Sequence, residues 1–150
     1  MKLKVSIANL VMLVGGLLTF IFSFLDFYKI SFLGESVGTN AWDTDAGAFV
    51  TTIPAILGIA MLVWCVLELL GTKLPERILT YNSTQMKGTW GIASIGIMFA
   101  FLIQSGDKGA GFWLMLIGSL AMAVGSIMAL LNVGGQTVDL GAINNKSESA

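Results

Sequence analysis

Histidine is missing from this chain altogether, cysteine occurs once (Cys65), proline twice, and charged residues make up only 11% of the sequence. Each scarcity excludes something. Without histidine the commonest general base and the commonest transition-metal ligand are gone. A single cysteine allows neither an intrachain disulfide nor a CxxC redox pair. A soluble domain carries about 25% charged residues, so a content this low describes a chain solvated largely by lipid. The net charge of −1 argues against a nucleic-acid partner, which calls for a basic face. No catalytic constellation and no cofactor is implied, and the reading is of a protein that is not an enzyme.

What is abundant is apolar. Hydrophobic residues are 55% of the chain and the mean hydropathy is +0.84. A helix needs about 20 predominantly apolar residues to cross a hydrocarbon core of roughly 30 Å. Four such segments are expected, at about 5–25, 46–70, 88–104 and 110–133. They predict an all-α membrane protein, an antiparallel bundle of four transmembrane helices in residues 1–133, followed by a small, polar and disordered tail at 134–150. The first segment follows Met-Lys-Leu-Lys but lacks an Ala-x-Ala cleavage pattern, so it reads as an uncleaved helix.

Lysine and arginine set the direction. Lys2, Lys4, Lys73, Arg77, Lys87 and Lys146 fall on one side of this scheme and Lys29 and Lys108 on the other. Both termini are therefore expected in the cytoplasm of a bacterium, with the protein a multi-pass component of its cytoplasmic (inner) membrane. The connection 26–45 then lies outside. It holds Asp26, Glu35, Asp43 and Asp45, four of the nine carboxylates, and the aromatics Phe27, Tyr28, Phe32 and Trp42, which suit a water–lipid boundary. It is expected to be structured, with a short strand or hairpin turning at Gly34.

Local signals refine the segments. Asp45 is placed to cap the second helix, Pro54 to kink it, and Gly71 to end it. The inner connection is expected to lie on headgroups, with Pro75 in a first helical turn and Lys73, Arg77 and Lys87 facing anionic lipid. Small residues recur four apart, as Gly15, Thr19 and Ser23 in the first segment and Ala121, Gly125 and Ala129 in the fourth. Such stripes let helix backbones approach closely, either within the bundle or against another subunit.

Candidate sites are few. Glu68 stands three residues before Gly71 and is expected to reach headgroups or to pair with Lys73 or Arg77. Asp26 stands similarly at the end of the first helix. Either could couple an ion if the protein were a transporter. "DTDAG" at 43–47 resembles half of a calcium loop, but position 54, where the bidentate Glu belongs, is proline. The loop residues Phe32, Trp42, Asp43 and Asp45 are the expected partner-binding surface.

Small multidrug transporters are similar in length and span count, but they place a Glu mid-way in the first span, and this chain has none there. Claudin-type proteins need paired cysteines in the outer loop, and vitamin K reductases need CxxC. A short basic start, an outer loop bearing Asn40-Ala41-Trp42-Asp43 and a Gly/Pro-bearing second span resemble small four-span membrane proteins of actinobacterial type. The resemblance covers the first two spans and implies no activity. The expected role is non-catalytic: an accessory or scaffold subunit, in the lipid bilayer, packing against another membrane protein or a homo-oligomer. The alternative is a small oligomeric transporter or channel, including a holin-like pore former.

Overall fold

The computed structural model describes residues 4–32, 35–43, 48–75, 77–78, 80–133 and 135–139. Four helices dominate it: α1 (Ile7–Phe22), α2 (Ile53–Leu69, entered through a 3₁₀ turn at Ala48–Thr52), α3 (Ser83–Ile103) and α4 (Ala110–Leu130). Helix α1 packs on α2 and α4, and α3 packs on the same two. Three helical stretches of 21 residues, Phe49–Leu69, Ser83–Ile103 and Ala110–Leu130, are long and apolar enough to cross a membrane. Helix α1 is apolar but has 16 residues.

The helix ends follow from their residues. Ser6 caps α1 by accepting from the Asn9 amide at 3.2 Å. Asn82 and Gln85 form a reciprocal capping box on α3, at 2.8 and 3.1 Å, which satisfies two otherwise orphaned amides. Gly71, at φ 69°, closes α2 as the sequence predicts. Its amide donates to the Glu68 carbonyl at 3.1 Å and that of Thr72 to Leu67 at 3.0 Å. Asn132, at φ 53°, does the same for α4, since asparagine tolerates the left-handed region.

Some expectations change. Pro54 stands in the first turn of α2, where its missing N–H is no loss, so it does not kink a mid-span helix. Helix α3 begins at Ser83 rather than at 88, because the capping box starts it there and its one interior cation, Lys87, is neutralised by a partner. Pro75 lies outside any helix; the connection instead carries a two-residue hairpin, β4 (Arg77–Ile78) with β5 (Tyr81–Asn82).

The fold is also not purely helical. At one end of the helices β2 (Asp26–Phe32) pairs antiparallel with β3 (Glu35–Asn40), and with β6 (Asp107–Lys108) on its other side. The hairpin expected in 26–45 is thus present; Gly34 and the Asp45 cap lie outside the described residues. At the opposite end β1 (Lys4–Ser6) pairs antiparallel with β7 (Thr137–Asp139), so part of the expected disordered tail is a strand. Residues 140–150 lie outside the described residues.

Backbones approach closely along both small-residue stripes. A Cβ added at Gly118 would stand 2.5 Å from the Thr19 hydroxyl and 2.9 Å from the Gly15 carbonyl. At Gly125 it would meet Met12 Cγ at 2.7 Å and the Ala8 carbonyl at 2.9 Å. Glycine is therefore required at the α1–α4 crossing for steric reasons. Gly16 and Gly58 play the same part between α1 and α2.

Two apolar clusters fill the interior. Met12, Met61, Cys65 and Met122 form one, and Phe27, Ala41, Ala55, Met98, Phe112 and Met115 form the other, nearer the sheet. Methionine's unbranched chain fills the irregular gaps left between glycine-rich faces.

Candidate functional site

Apart from a mid-bundle pair, Ser94 and Ser119, whose hydroxyls are 2.8 Å apart, the larger polar groupings lie at the two ends of the bundle, in different ways. At the end carrying β1, β7 and the small hairpin, Glu68 of α2 meets Lys87 of α3 at 2.8 Å. The Lys87 side chain is 5% exposed and that of Glu68 23%. Oε1 of Glu68 accepts from Ser83 (2.6 Å), Trp64 (3.1 Å) and Lys87 (3.1 Å); Oε2 accepts from Lys87 and from Asn9 of α1 (3.1 Å). The ammonium of Lys87 also donates to Asn9 Oδ1 at 3.0 Å. The Lys87 carbonyl accepts from Ser126 of α4 at 2.9 Å, so all four helices meet at this knot.

Sequence reasoning misassigned both charges. Glu68 pairs with neither Lys73 nor Arg77, and Lys87 does not face headgroups. The signal was present: Glu68 near the end of one helix and Lys87 near the start of the next antiparallel one stand at equal depth. Opposite charges at equal depth on neighbouring helices neutralise one another, which an interior site demands.

At the other end Phe27 is fully buried. Its ring lies edge-on to Tyr28, Phe101 and Phe112, with centroids 5.1, 5.4 and 5.3 Å away. Its carbonyl accepts from the Gly109 amide at 2.9 Å. This aromatic group roots β2 in the bundle. The connection after β3 is fixed in turn. The Ala41 amide donates to Ser23 O at 3.0 Å, the Thr51 hydroxyl to Ala41 O at 2.8 Å, and the Trp42 indole to Ser23 Oγ at 2.7 Å. Trp42 also stacks on Phe24 at 5.7 Å.

Between the sheet and the end of α3 lies a cavity of about 570 Å³, bounded by Tyr28, Lys29, Thr39, Phe101, Gln104 and Asp107. The Tyr28 hydroxyl donates to Gln104 Oε1 at 3.0 Å. Lys108 stands 4.6 Å above the Tyr28 ring and donates to the Gln104 carbonyl at 2.9 Å. Burial raises the Tyr28 pKa. Burial also lowers that of Lys108, against the opposing charge of Asp107. The Thr39 hydroxyl is buried and, among the described residues, has no hydrogen-bond partner. Lys29 and Asp107 are cross-strand partners, yet among the described residues neither is in an ion pair.

The expected site residues distribute as follows. Gly15 faces Gly118, Ala121 and Met122; Thr19 faces Gly58 and Gly118; Gly125 faces Ala8 and Met12. Ala129 packs on the methionine cluster, and Ser23 is taken up by Trp42. All six small residues are thus used inside this chain. Asp26 opens β2 with its carboxylate against Gly38, where a Cβ would collide with it, so it belongs to the sheet and not to the end of α1. Asp43 and Trp42 are half-buried. Asp45 and the side chain of Phe32 lie outside the described residues. Among the described residues no group of three or more His, Cys, Asp or Glu is assembled. The cavity beneath the sheet had no signal in sequence, since it joins residues from β2, β3, α3 and β6.

Comparison with protein-family models, with curated proteins and with solved structures found no match.

Proposed function

We propose that the chain is a four-span protein of a bacterial cytoplasmic membrane, with both termini in the cytoplasm. We further propose that it acts without catalysis as an accessory or scaffold subunit whose sheet end is the surface offered to a partner. Helix α1 rises about 24 Å over its 16 residues, short of a hydrocarbon core. The extended β1 before it adds about 3.3 Å per residue, which brings Lys4–Phe22 to bilayer thickness. The alternating course of the helices puts β1, β7 and the inner hairpin at one end. That end carries Lys73 and Arg77, and the excess of basic residues supports its being cytoplasmic.

The observation that carries the scaffold reading is the open edge of the sheet. Among the described residues strand β3 pairs with β2 on one side only, and an unpaired edge is a template for another strand. Beside it the cross-strand pair Ile30 and Val37 is 61% and 62% exposed, on a sheet anchored rigidly by Phe27. Apolar residues on a rigid, polar-rimmed platform suit a partner interface. The transporter alternative needs Glu68 or Asp26 free for an ion. The five hydrogen bonds that Glu68 accepts from its own chain weigh against that role.

The test is the state of the full chain extracted from native membranes in mild detergent. It should run in an assembly larger than one chain, and Val37→Glu should release it as a folded monomer. A wild-type chain that is monodisperse and alone overturns the reading.

A further inference from the structure

We propose that the β2–β3 hairpin is a membrane-surface anchor: it lies flat across the helix ends, its Ile30–Val37 face set into the headgroup–acyl boundary of the bilayer and its Lys29–Ser36 face turned to water.

The proposal rests on the membrane reading above. It assigns the apolar face of the sheet to lipid and leaves the backbone edge of β3 to a protein partner. Three contacts set the course of β2. The Phe27 ring meets Phe112 in the first turn of α4. The Tyr28 hydroxyl bonds to Gln104, just after α3. Ile30 shares a hollow with Val50, in the 3₁₀ turn that enters α2. These are ends of three different helices on one side of the bundle, so the strand runs across them and does not rise along the bundle axis.

The register then sorts the side chains. Tyr28 opposes Thr39 and Ile30 opposes Val37, while the alternate pairs are Lys29 with Gly38 and Ser31 with Ser36. Successive side chains point to opposite faces of a sheet. Tyr28 reaches down to the end of α3, so the face it shares with Ile30 and Val37 looks toward the helices, and the face of Lys29, Ser31 and Ser36 looks away. The inner face is apolar yet exposed at Ile30 and Val37. Glu35, last on that face, ends the apolar strip at the tip of the hairpin.

The occupant of the inner face follows from what adjoins it. Val50 also walls a second hollow, of about 420 Å³, with Ile97, Ala100 and Ile103 on the flank of α3. Helix α3 is one of those long and apolar enough to cross a membrane. Ile30, Val50 and Ile103 are all exposed, so the underside of the hairpin is continuous with the flank of a span, and lipid that wets the one reaches the other. Trp113, exposed in the first turn of α4, and Trp42, stacked on Phe24, stand at this same end, where aromatic rings mark the water–lipid boundary. A hairpin at that level, apolar below and hydroxyl-bearing above, is the strand counterpart of an amphipathic interfacial helix.

The experiment reads depth. In a Cys65→Ala background, Ile30→Cys, Val37→Cys, Ser31→Cys and Ser36→Cys each carry a bimane fluorophore, with single copies of the full chain reconstituted in phosphatidylcholine vesicles. Quenching by nitroxide-labelled phosphatidylcholine is compared with quenching by iodide in the water. Labels at 30 and 37 should read about 5–10 Å below the headgroup level and be shielded from iodide, and those at 31 and 36 should show the reverse. All four positions are exposed, and two on each face keep the comparison intact if one variant does not fold. Iodide reaching all four alike overturns the proposal. So does shielding of 30 and 37 from both quenchers, which is what a protein cover would give. Leu120→Cys, exposed midway along α4, reports on the membrane reading itself: if the nitroxide lipid does not reach it, both readings fall, and if the lipid reaches it but not 30 and 37, this one falls alone. Lipid contact at 30 and 37 in a chain that never assembles defeats the scaffold reading alone.

Discussion

The two ends of the bundle handle polar groups in opposite ways. At the Glu68–Lys87 knot every group is matched: one carboxylate accepts five hydrogen bonds from Asn9, Trp64, Ser83 and Lys87. At the sheet end, among the described residues, the cross-strand partners Lys29 and Asp107 form no ion pair and the Thr39 hydroxyl is without a hydrogen-bond partner. A closed network stabilises one arrangement and has nothing left to offer a ligand. An open one contributes little to folding and keeps its binding capacity. The contrast teaches where to look for a binding surface in this molecule: at unspent polar groups, not at the best-ordered ones.

The sharpest way to break this contrast is to open the closed end. Glu68→Ala leaves the Lys87 ammonium buried without its anion. It should cost about 3 kcal/mol, the low end of the range for a broken buried pair, because the carboxylate keeps 23% exposure. The double variant Glu68→Leu/Lys87→Met removes both charges and should recover more than half of that loss in detergent unfolding. If the double variant falls as far as the single, the knot is more than a neutralised pair. Next in size, Gly118→Ala should cost about 2 kcal/mol by overpacking, since its Cβ would press on Thr19 and Gly15. Gly96→Ala meets nothing within 4 Å and should instead gain up to about 1 kcal/mol from helix propensity. Comparing the two unfolding midpoints separates the close crossing from the mere loss of a glycine.

Ser23→Ala comes third. It strips the Trp42 indole of its acceptor and should lower stability by about 1 kcal/mol. The partial exposure of Trp42 limits the loss, and the loosening should appear as a red shift of tryptophan emission. Smallest of all, Lys29→Gln and Asp107→Asn should each change lipid-free stability by less than about 0.5 kcal/mol. A loss there comparable to that of Glu68→Ala would erase the distinction between the ends.

How much of this was legible beforehand depends on the range of the interaction. The helices were, because lipid selects for long apolar runs, and Gly71 was, because a left-handed helix stop is a local event. The hairpin in 26–45 was visible for the same reason, from its β-branched and aromatic residues. The displaced readings involve partners distant in sequence. Lys87 looked like a surface cation beside its immediate neighbours, and only Glu68, 19 residues away, makes it an interior one. Phe27 looked like an interfacial aromatic, but Phe101 and Phe112 turn it into an anchor. Pro54 was misjudged by a boundary error: moving the helix start to Ile53 converts a kink into a favourable first turn. The cavity under the sheet lies beyond one-dimensional patterns, since four separate elements must meet before it exists.

The pairing of Lys4–Ser6 with Thr137–Asp139 has a consequence for engineering the chain. Antiparallel strands are about 5 Å apart, so the beginning and end of the described polypeptide are immediate neighbours and its path is almost a closed loop. A short peptide splice could therefore join them, and new termini could be cut in the exposed Gly71–Pro75 turn without moving a helix. Circularly permuted versions of this protein should retain the same four-helix arrangement.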